Sequence, residues 1–235
     1  MQQHEVVSQQ EWIDARKALL AKEKAFTKKR DELSAQRRQL PWVKIDKDYR
    51  FEGPNGSERL SDLFDGRDQL VVYHFMFGPD WQEGCPSCSM MADTFDDAII
   101  HLNQRNVSMV VVSRAPYAKL KAYEDRMGWH FKWLSSEDSD FNQDFHVTFS
   151  DEERENGQAY YNYRMGSFPA DEAPGLSVFC KDDDGQIFHT YSTYGRGLDA
   201  LLGTYQFLDL VPNGRDEDSL PFPMAWIRRH DEYGA

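Results

Sequence analysis

The chain has 235 residues and a net charge of −13 from 27 basic and 40 acidic side chains, with 40% hydrophobic and 14% aromatic residues. A chain of this size and composition buries a sizeable core, and no stretch approaches the roughly 18 apolar residues of a membrane span. Three cysteines, only two of them close together, exclude a secreted disulfide framework.

Charge is uneven along the chain. Residues 1–40 carry nine basic and six acidic side chains, a net +3, which leaves −16 on the remainder. So acidic a body repels phosphate backbones and argues against nucleic acid as a partner. The first ten residues lack both a basic start and an apolar core, so no signal peptide is read there, and a cytoplasmic location is expected.

Residues 9–39 read as one long helix, rich in Ala, Lys, Glu, Gln and Arg and free of Gly and Pro, ended by Pro41. Trp12, Leu19, Phe26, Leu33 and Leu40 recur every seven residues, but Arg16, Glu23, Arg30 and Arg37 fill the seam positions. That stripe is too narrow for a coiled coil by itself, so the helix is expected to dock on the body or on a second copy, making a homodimer one expectation. A short hairpin follows around Gly53-Pro54-Asn55-Gly56, then a helical turn at residues 61–64. An apolar strand is predicted over residues 70–77, a loop over 78–84, and a helix with Met91, Phe95, Ile99 and Leu102 on one face. A second apolar strand runs from Val107 to Arg114, a helix starts at Pro116 with Leu120, Tyr123 and Met127 on one face, and a short strand covers 131–134. Continuous apolar strands alternating with helices predict a parallel, helix-covered sheet.

Residues 137–172 break the alternation with seven aromatic residues among acids and glycines, and read as an elaborated insertion in which Ser150-x-x-Glu153 caps a short helix. Residues 176–180 and 186–191 then form an antiparallel pair around Asp182-Asp183-Asp184-Gly185, and a last helix spans about 197–208. The tail from Pro212 is rich in Pro and charge, with Pro223 to Ile227 able to pack back. The expected organisation is a basic helical extension at 1–40, one α/β domain at 41–211 and a tail at 212–235.

The chemistry sits at Cys85-Pro86-Ser87-Cys88, where the buried strand hands over to a helix. Pro86 suits the first helical position, which places Cys85 at the helix N-terminus, where free N–H groups and the dipole stabilise a thiolate. Two thiols on one turn can attack a disulfide and then resolve the mixed disulfide. Two other readings stand beside this one. Zinc needs about four ligands, and the only further cysteine is Cys180. A reduced, inert pair of small core residues is the plainer alternative.

Taken together the chain resembles the thioredoxin fold in its peroxiredoxin-like size class, on the strand before the Cys-x-x-Cys, the Ala173-Pro174-Gly175-Leu176 segment and the closing hairpin and helix. The strings Leu40-Pro41-Trp42-Val43, Tyr73-His74-Phe75-Met76-Phe77-Gly78-Pro79-Asp80-Trp81, Gly84-Cys85-Pro86-Ser87-Cys88, Tyr160-Tyr161-Asn162-Tyr163 and Phe188-His189-Thr190-Tyr191 resemble, more closely, a bacterial thioredoxin-like family. That family is a domain of unknown function described as predicted dithiol–disulfide oxidoreductases. The resemblance implies Cys85 as nucleophile, Cys88 as resolving thiol and Pro174 as a cis proline shaping the substrate groove. It also sets His74 near the position of thioredoxin's buried acid, as a base for Cys88, and Trp81 as a shield; a structural core histidine is the alternative for His74. The peroxiredoxin motif Pro-x-x-x-Thr/Ser-x-x-Cys is absent, because Gln82 and Gly78 stand three and seven residues before Cys85. Arg114 is a candidate cation beside the thiolate.

The expected activity is thiol–disulfide exchange on a protein or small-molecule disulfide. No flavin or nucleotide motif is present, so no cofactor is expected, and electrons would come from an external thiol or reductase. The alternatives are a thiol peroxidase working through the same pair and a non-enzymatic interaction protein on the same fold.

Overall fold

The computed structural model describes residues 4–234; residues 1–3, where the reading of the N-terminus begins, and residue 235 lie outside the described residues. The chain divides into two compact units, Met1–Trp42 and Val43–Ala235.

The first unit is one helix, α1 (Gln9–Arg37). Ser8 starts it with a capping box, its hydroxyl accepting from the Glu11 N–H at 3.3 Å while the Glu11 carboxylate accepts from the Ser8 N–H at 2.9 Å. None of its residues is buried, and Trp12, Leu19, Phe26 and Leu33 are each more than half exposed.

In the second unit the chain runs β1 (Val43–Lys44), β2 (Arg50–Gly53), β3 (Gly56–Arg59), β4 (Gln69–His74), α2 (Pro86–Phe95), α3 (Ile99–Asn103), β5 (Val107–Ser113) and α4 (Tyr117–Met127). It continues through β6 (Trp133–Ser135), α5 (Phe141–Asp144), α6 (Asp151–Glu155), β7 (Ala159–Tyr161), β8 (Arg164–Gly166), β9 (Gly175–Lys181), β10 (Ile187–Tyr194) and α7 (Gly203–Leu208). Eight strands form one sheet in the order β1-β10-β9-β4-β5-β6-β2-β3, and β7 and β8 pair separately. At its centre β4 and β5 are parallel, joined across α2 and α3, while β9 lies antiparallel to β4 and β10 antiparallel to β9. A parallel strand–helix–strand unit flanked by an antiparallel hairpin is the thioredoxin-like arrangement.

Side chains of β4 alternate between the two faces of the sheet. Tyr73 and, just beyond the strand, Phe75 and Phe77 join a core with Cys88, Met91, Leu120, Tyr123 and Trp133 under α2 and α4. Leu70 and Val72 face the opposite core, built with Phe64, Phe141, Phe145 and Phe179.

The strand predicted over 70–77 ends at His74, because its antiparallel neighbour begins at Gly175, directly opposite His74. The long helix expected after Cys85 is broken: α2 stops at Phe95, a 3-10 turn takes Asp96–Ala98, and α3 resumes. Asp96 and Asp97 are weak helix formers, and the Asp96 carboxylate bonds outward to the His130 N–H at 3.0 Å. The last predicted helix is likewise a 3-10 segment, Gly195–Leu201, and then the short α7, separated by Leu202 with ψ 88°. The predicted cap at Ser150 is formed, with the Glu153 N–H donating to its hydroxyl.

Candidate functional site

Beyond β4 the chain must turn back to start α2, and three sets of bonds shape that loop. Lys119 Nζ donates to the carbonyls of Pro79 at 2.5 Å and Trp81 at 3.0 Å. The Trp81 indole donates to Asp171 at 3.0 Å, and the Cys85 N–H returns to the Met76 carbonyl at 3.1 Å. Gly84 makes the close approach possible: a Cβ there would stand 2.7 Å from the Phe75 ring.

Cys85 is the N-cap of α2 with Pro86 as first helical residue, and Cys88 lies on the first turn. Both are free thiols; Cys85 is partly exposed, whereas Cys88 is 2% exposed. The Cys88 thiol and the backbone N–H groups of Cys88 and Ser87 favour the Cys85 thiolate, and with the nearby Arg229 charge they outweigh burial and bring the Cys85 thiol down to about 7. Cys88 moves the other way. Burial raises it most, and the Cys85 charge adds to the rise, while bonds from the Tyr73 phenol and the Met76 N–H pull against it. Tyr73 is itself a buried neutral phenol, held far above its ordinary range by burial and by the two sulfurs. The outcome is one thiol ionised near neutrality beside a second that keeps its proton.

Arg229 comes from the C-terminal tail. Ile227 buries in the core and Trp226 packs beside it, which brings the guanidinium to the Gly84 carbonyl at 2.9 Å and the Tyr123 hydroxyl at 2.9 Å. Glu83 and Glu232 pair with the same guanidinium at 3.0 and 2.9 Å. The Tyr123 hydroxyl reaches Ser89 Oγ at 3.0 Å, and Ser89 Oγ donates to the Cys85 carbonyl at 3.0 Å.

His74 does not serve Cys88. One residue after Tyr73 in an alternating strand, it points into the opposite core, 1% exposed and stacked against Phe141 and Phe145. Its Nε2 lies 2.8 Å from Ser177 Oγ, Ser177 Oγ lies 2.8 Å from Ser192 Oγ, and Ser192 Oγ lies 2.7 Å from His189 Nε2. Burial drives the His74 ring down to about 3, so it stays neutral. Tyr73 holds the position beside Cys88 that the sequence assigned to His74, and strand parity relative to Phe75 and Phe77 was the signal for it.

Pro174 precedes Gly175, where β9 meets the end of β4. Its peptide bond is trans, as is every described peptide bond, which corrects the cis expectation. Just before it the Ala173 N–H donates to the Val147 carbonyl at 2.8 Å, and the Phe149 N–H donates to the Asp171 carbonyl at 2.9 Å. The Pro174 carbonyl accepts from the Tyr161 hydroxyl at 2.7 Å. Tyr161 stands on β7, within electrostatic reach of Cys88. Arg114, at the end of β5, is paired with a carboxylate: its Nε lies 3.3 Å from the buried carboxylate of Glu172. Cys180 pairs with Gln69 at the far end of β4, remote from the dithiol. Among the described residues, no cluster of three or more His, Cys, Asp or Glu could hold a metal, and no helix is long and apolar enough to cross a membrane. Arg229 was not picked out from the sequence, and Tyr123 and Tyr161 were read there without a place at the site; only the apolar anchor at Pro223 to Ile227 hinted that the tail folds back.

Comparison with known proteins gives one family match and a set of structural likenesses. The profile of a family described as "Bacterial protein of unknown function (DUF899)" matches residues 1–233. A search of curated proteins found no match. Among solved structures, the Mycobacterium tuberculosis peroxidoxin BcpB is 16% identical with a TM-score of 0.46, over 70% of this chain and 95% of that one. A mutant of Xanthomonas campestris peroxiredoxin Q is 14% identical with a TM-score of 0.47, over 72% of this chain and 98% of that one. The mitochondrial 2-cys peroxiredoxin of Plasmodium falciparum has a TM-score of 0.41 at 13% identity, over 71% and 92% of the two chains.

Proposed function

The chain belongs to the DUF899 family of bacterial proteins of unknown function, and from its dithiol we propose that it is a thiol–disulfide oxidoreductase. The observation that carries this reading is the pairing of a partly exposed Cys85 at the start of α2 with a buried, protonated Cys88 on the same turn.

In the forward direction the Cys85 thiolate attacks one sulfur of a substrate disulfide. A Cys85–substrate disulfide forms, the substrate S–S bond breaks, and the departing thiolate takes a proton from water. Cys85 has then lost the negative charge that held the Cys88 proton in place. With the Tyr73 phenol donating to its sulfur, Cys88 gives up that proton to water and attacks Cys85; the Cys85–substrate bond breaks, and the second substrate sulfur takes a proton from water and leaves as a thiol. Two electrons have passed to the substrate and the protein holds a Cys85–Cys88 disulfide. An external thiol or a reductase protein restores the dithiol.

The test is single-turnover reduction of a small disulfide by the reduced protein. The wild type is expected to release two thiols per molecule, Cys85→Ser none, and Cys88→Ser one, with the other substrate half left on Cys85. Oxidation by hydrogen peroxide faster than by any disulfide would replace this reading with a thiol peroxidase. Inertness of wild-type Cys85 toward both would leave a non-enzymatic binding protein.

A further inference from the structure

Two peptide carbonyls flank Cys85, one leading into it and one leaving it, and side chains hold both. The Gly84 carbonyl accepts from Arg229 Nη2 at 2.9 Å. The Cys85 carbonyl accepts from the Ser89 N–H at 2.9 Å and from Ser89 Oγ at 3.0 Å. Tyr123 joins the two clamps, because its hydroxyl lies 2.9 Å from Arg229 Nε and 3.0 Å from Ser89 Oγ. A hydroxyl has one proton to give. Ser89 spends its own on the Cys85 carbonyl, so Tyr123 donates to Ser89 and turns a lone pair toward Arg229. Burial raises the Tyr123 phenol above its ordinary range, so it keeps the proton that this chain of bonds needs.

The rest of the guanidinium faces carboxylates. Its Nη1 meets Glu232 at 2.9 Å and Glu83 at 3.0 Å, and both carboxylates are shared with Arg126. The Tyr123 hydroxyl and the Gly84 carbonyl are the neutral groups that draw Arg229 out of that network toward Cys85. The Tyr123 ring is a fixed post for this bond. It is 5% exposed and packs on Phe77, Trp129 and Trp133 with centroids 5.4, 5.8 and 6.2 Å away.

We propose that Tyr123 is a positioning residue for the Cys85 thiol, acting through Arg229: its hydroxyl seats the guanidinium on the Gly84 carbonyl, the peptide group that leads into Cys85. Held there, the positive charge favours the thiolate. The proposal rests on the exchange reading above, whose first step is attack by that thiolate, and deepens it. Its readout is alkylation and not disulfide reduction, so the two fail separately.

The experiment follows iodoacetamide alkylation of Cys85 against pH in the full reduced chain, resolved from the other cysteines by peptide mass spectrometry. Tyr123→Phe keeps the ring and removes the seat. It is expected to raise the midpoint by about 0.3 pH units or more, a roughly twofold slower alkylation at pH 6. Combined with Arg229→Gln, it is expected to add nothing to the shift of Arg229→Gln alone, because both changes remove one interaction. Arg229→Lys keeps the charge without the fork of donors, and its midpoint is also expected above that of the wild type. A melting curve for each variant separates positioning from support of the fold: a hydroxyl that only stabilises would lower the melting temperature and leave the midpoint in place. An unmoved midpoint in Tyr123→Phe, shifts that add in the double variant, or a wild-type midpoint in Arg229→Lys would each overturn the proposal. If Tyr123→Phe does not fold, the Arg229→Lys midpoint decides.

Discussion

At the scale of single residues the site depends on where each sulfur's proton resides. Alkylation of Cys85 by iodoacetamide should rise with pH about a midpoint near 7, well below the 8.5 of a free cysteine, because only the thiolate reacts. Arg229→Gln should shift that midpoint upward, since it removes a positive charge that favours the thiolate; an unmoved midpoint would discard the tail's part in activation. Tyr73→Phe should leave the first attack nearly intact and slow the second, so that the mixed disulfide on Cys85 accumulates and is seen by mass spectrometry. Cys85 and Cys88 were legible in the sequence because spacing, Pro86 and the strand before them all point to a helix start. The partner of Cys88 was not. A seven-residue loop hides the register, and an error of one residue in a strand exchanges Tyr73 for His74 and one face of the sheet for the other. Arg229 was invisible for a different reason: nothing local marks a tail arginine as the neighbour of a thiol.

Elements were readable wherever a continuous apolar run fixes them, as in β4, β5 and β9, and less so where tertiary bonds set the boundary. The break between α2 and α3 follows from where the Asp96 carboxylate finds the His130 N–H, a contact with a residue far along the chain. The β7–β8 hairpin escaped the sequence because its aromatic residues cluster without a clear period of two. Loop geometry around the dithiol also leans on one glycine. Gly84→Ala would push a methyl to 2.7 Å from the Phe75 ring, and overpacking of this kind costs about 1–3 kcal/mol. Calorimetry should show a lowered melting temperature. Cys85 alkylation should slow as well, because the displaced residue is its direct neighbour; an unchanged melting temperature would mean that the loop yields freely.

For the whole molecule the most telling buried charge is Glu172, 1% exposed. Burial, only partly offset by Arg114, raises its carboxyl to about 7. A group raised in the folded state stabilises fully below its unfolded pKa, and that contribution is lost as pH rises through the folded value. Stability from Glu172 should therefore fall between about pH 4.5 and 7, at no more than roughly 1.4 kcal/mol per unit. Glu172→Gln should gain melting temperature relative to wild type on going from pH 5 to pH 8; a constant difference would show that the carboxylate is already ionised at pH 5. A fragment of residues 43–235 should keep the Cys85 midpoint, since every group that sets it lies in that unit. The same groups are widely spread in chain order. Arg229 reaches a carbonyl 145 residues earlier, so during synthesis the helix that bears Cys85 is made long before its cation. Until the tail docks, the thiol lacks that charge and holds its proton more tightly. The positive charge that favours the Cys85 thiolate is thus the last part of the site to be made, and it is in place only once the tail has packed on the core.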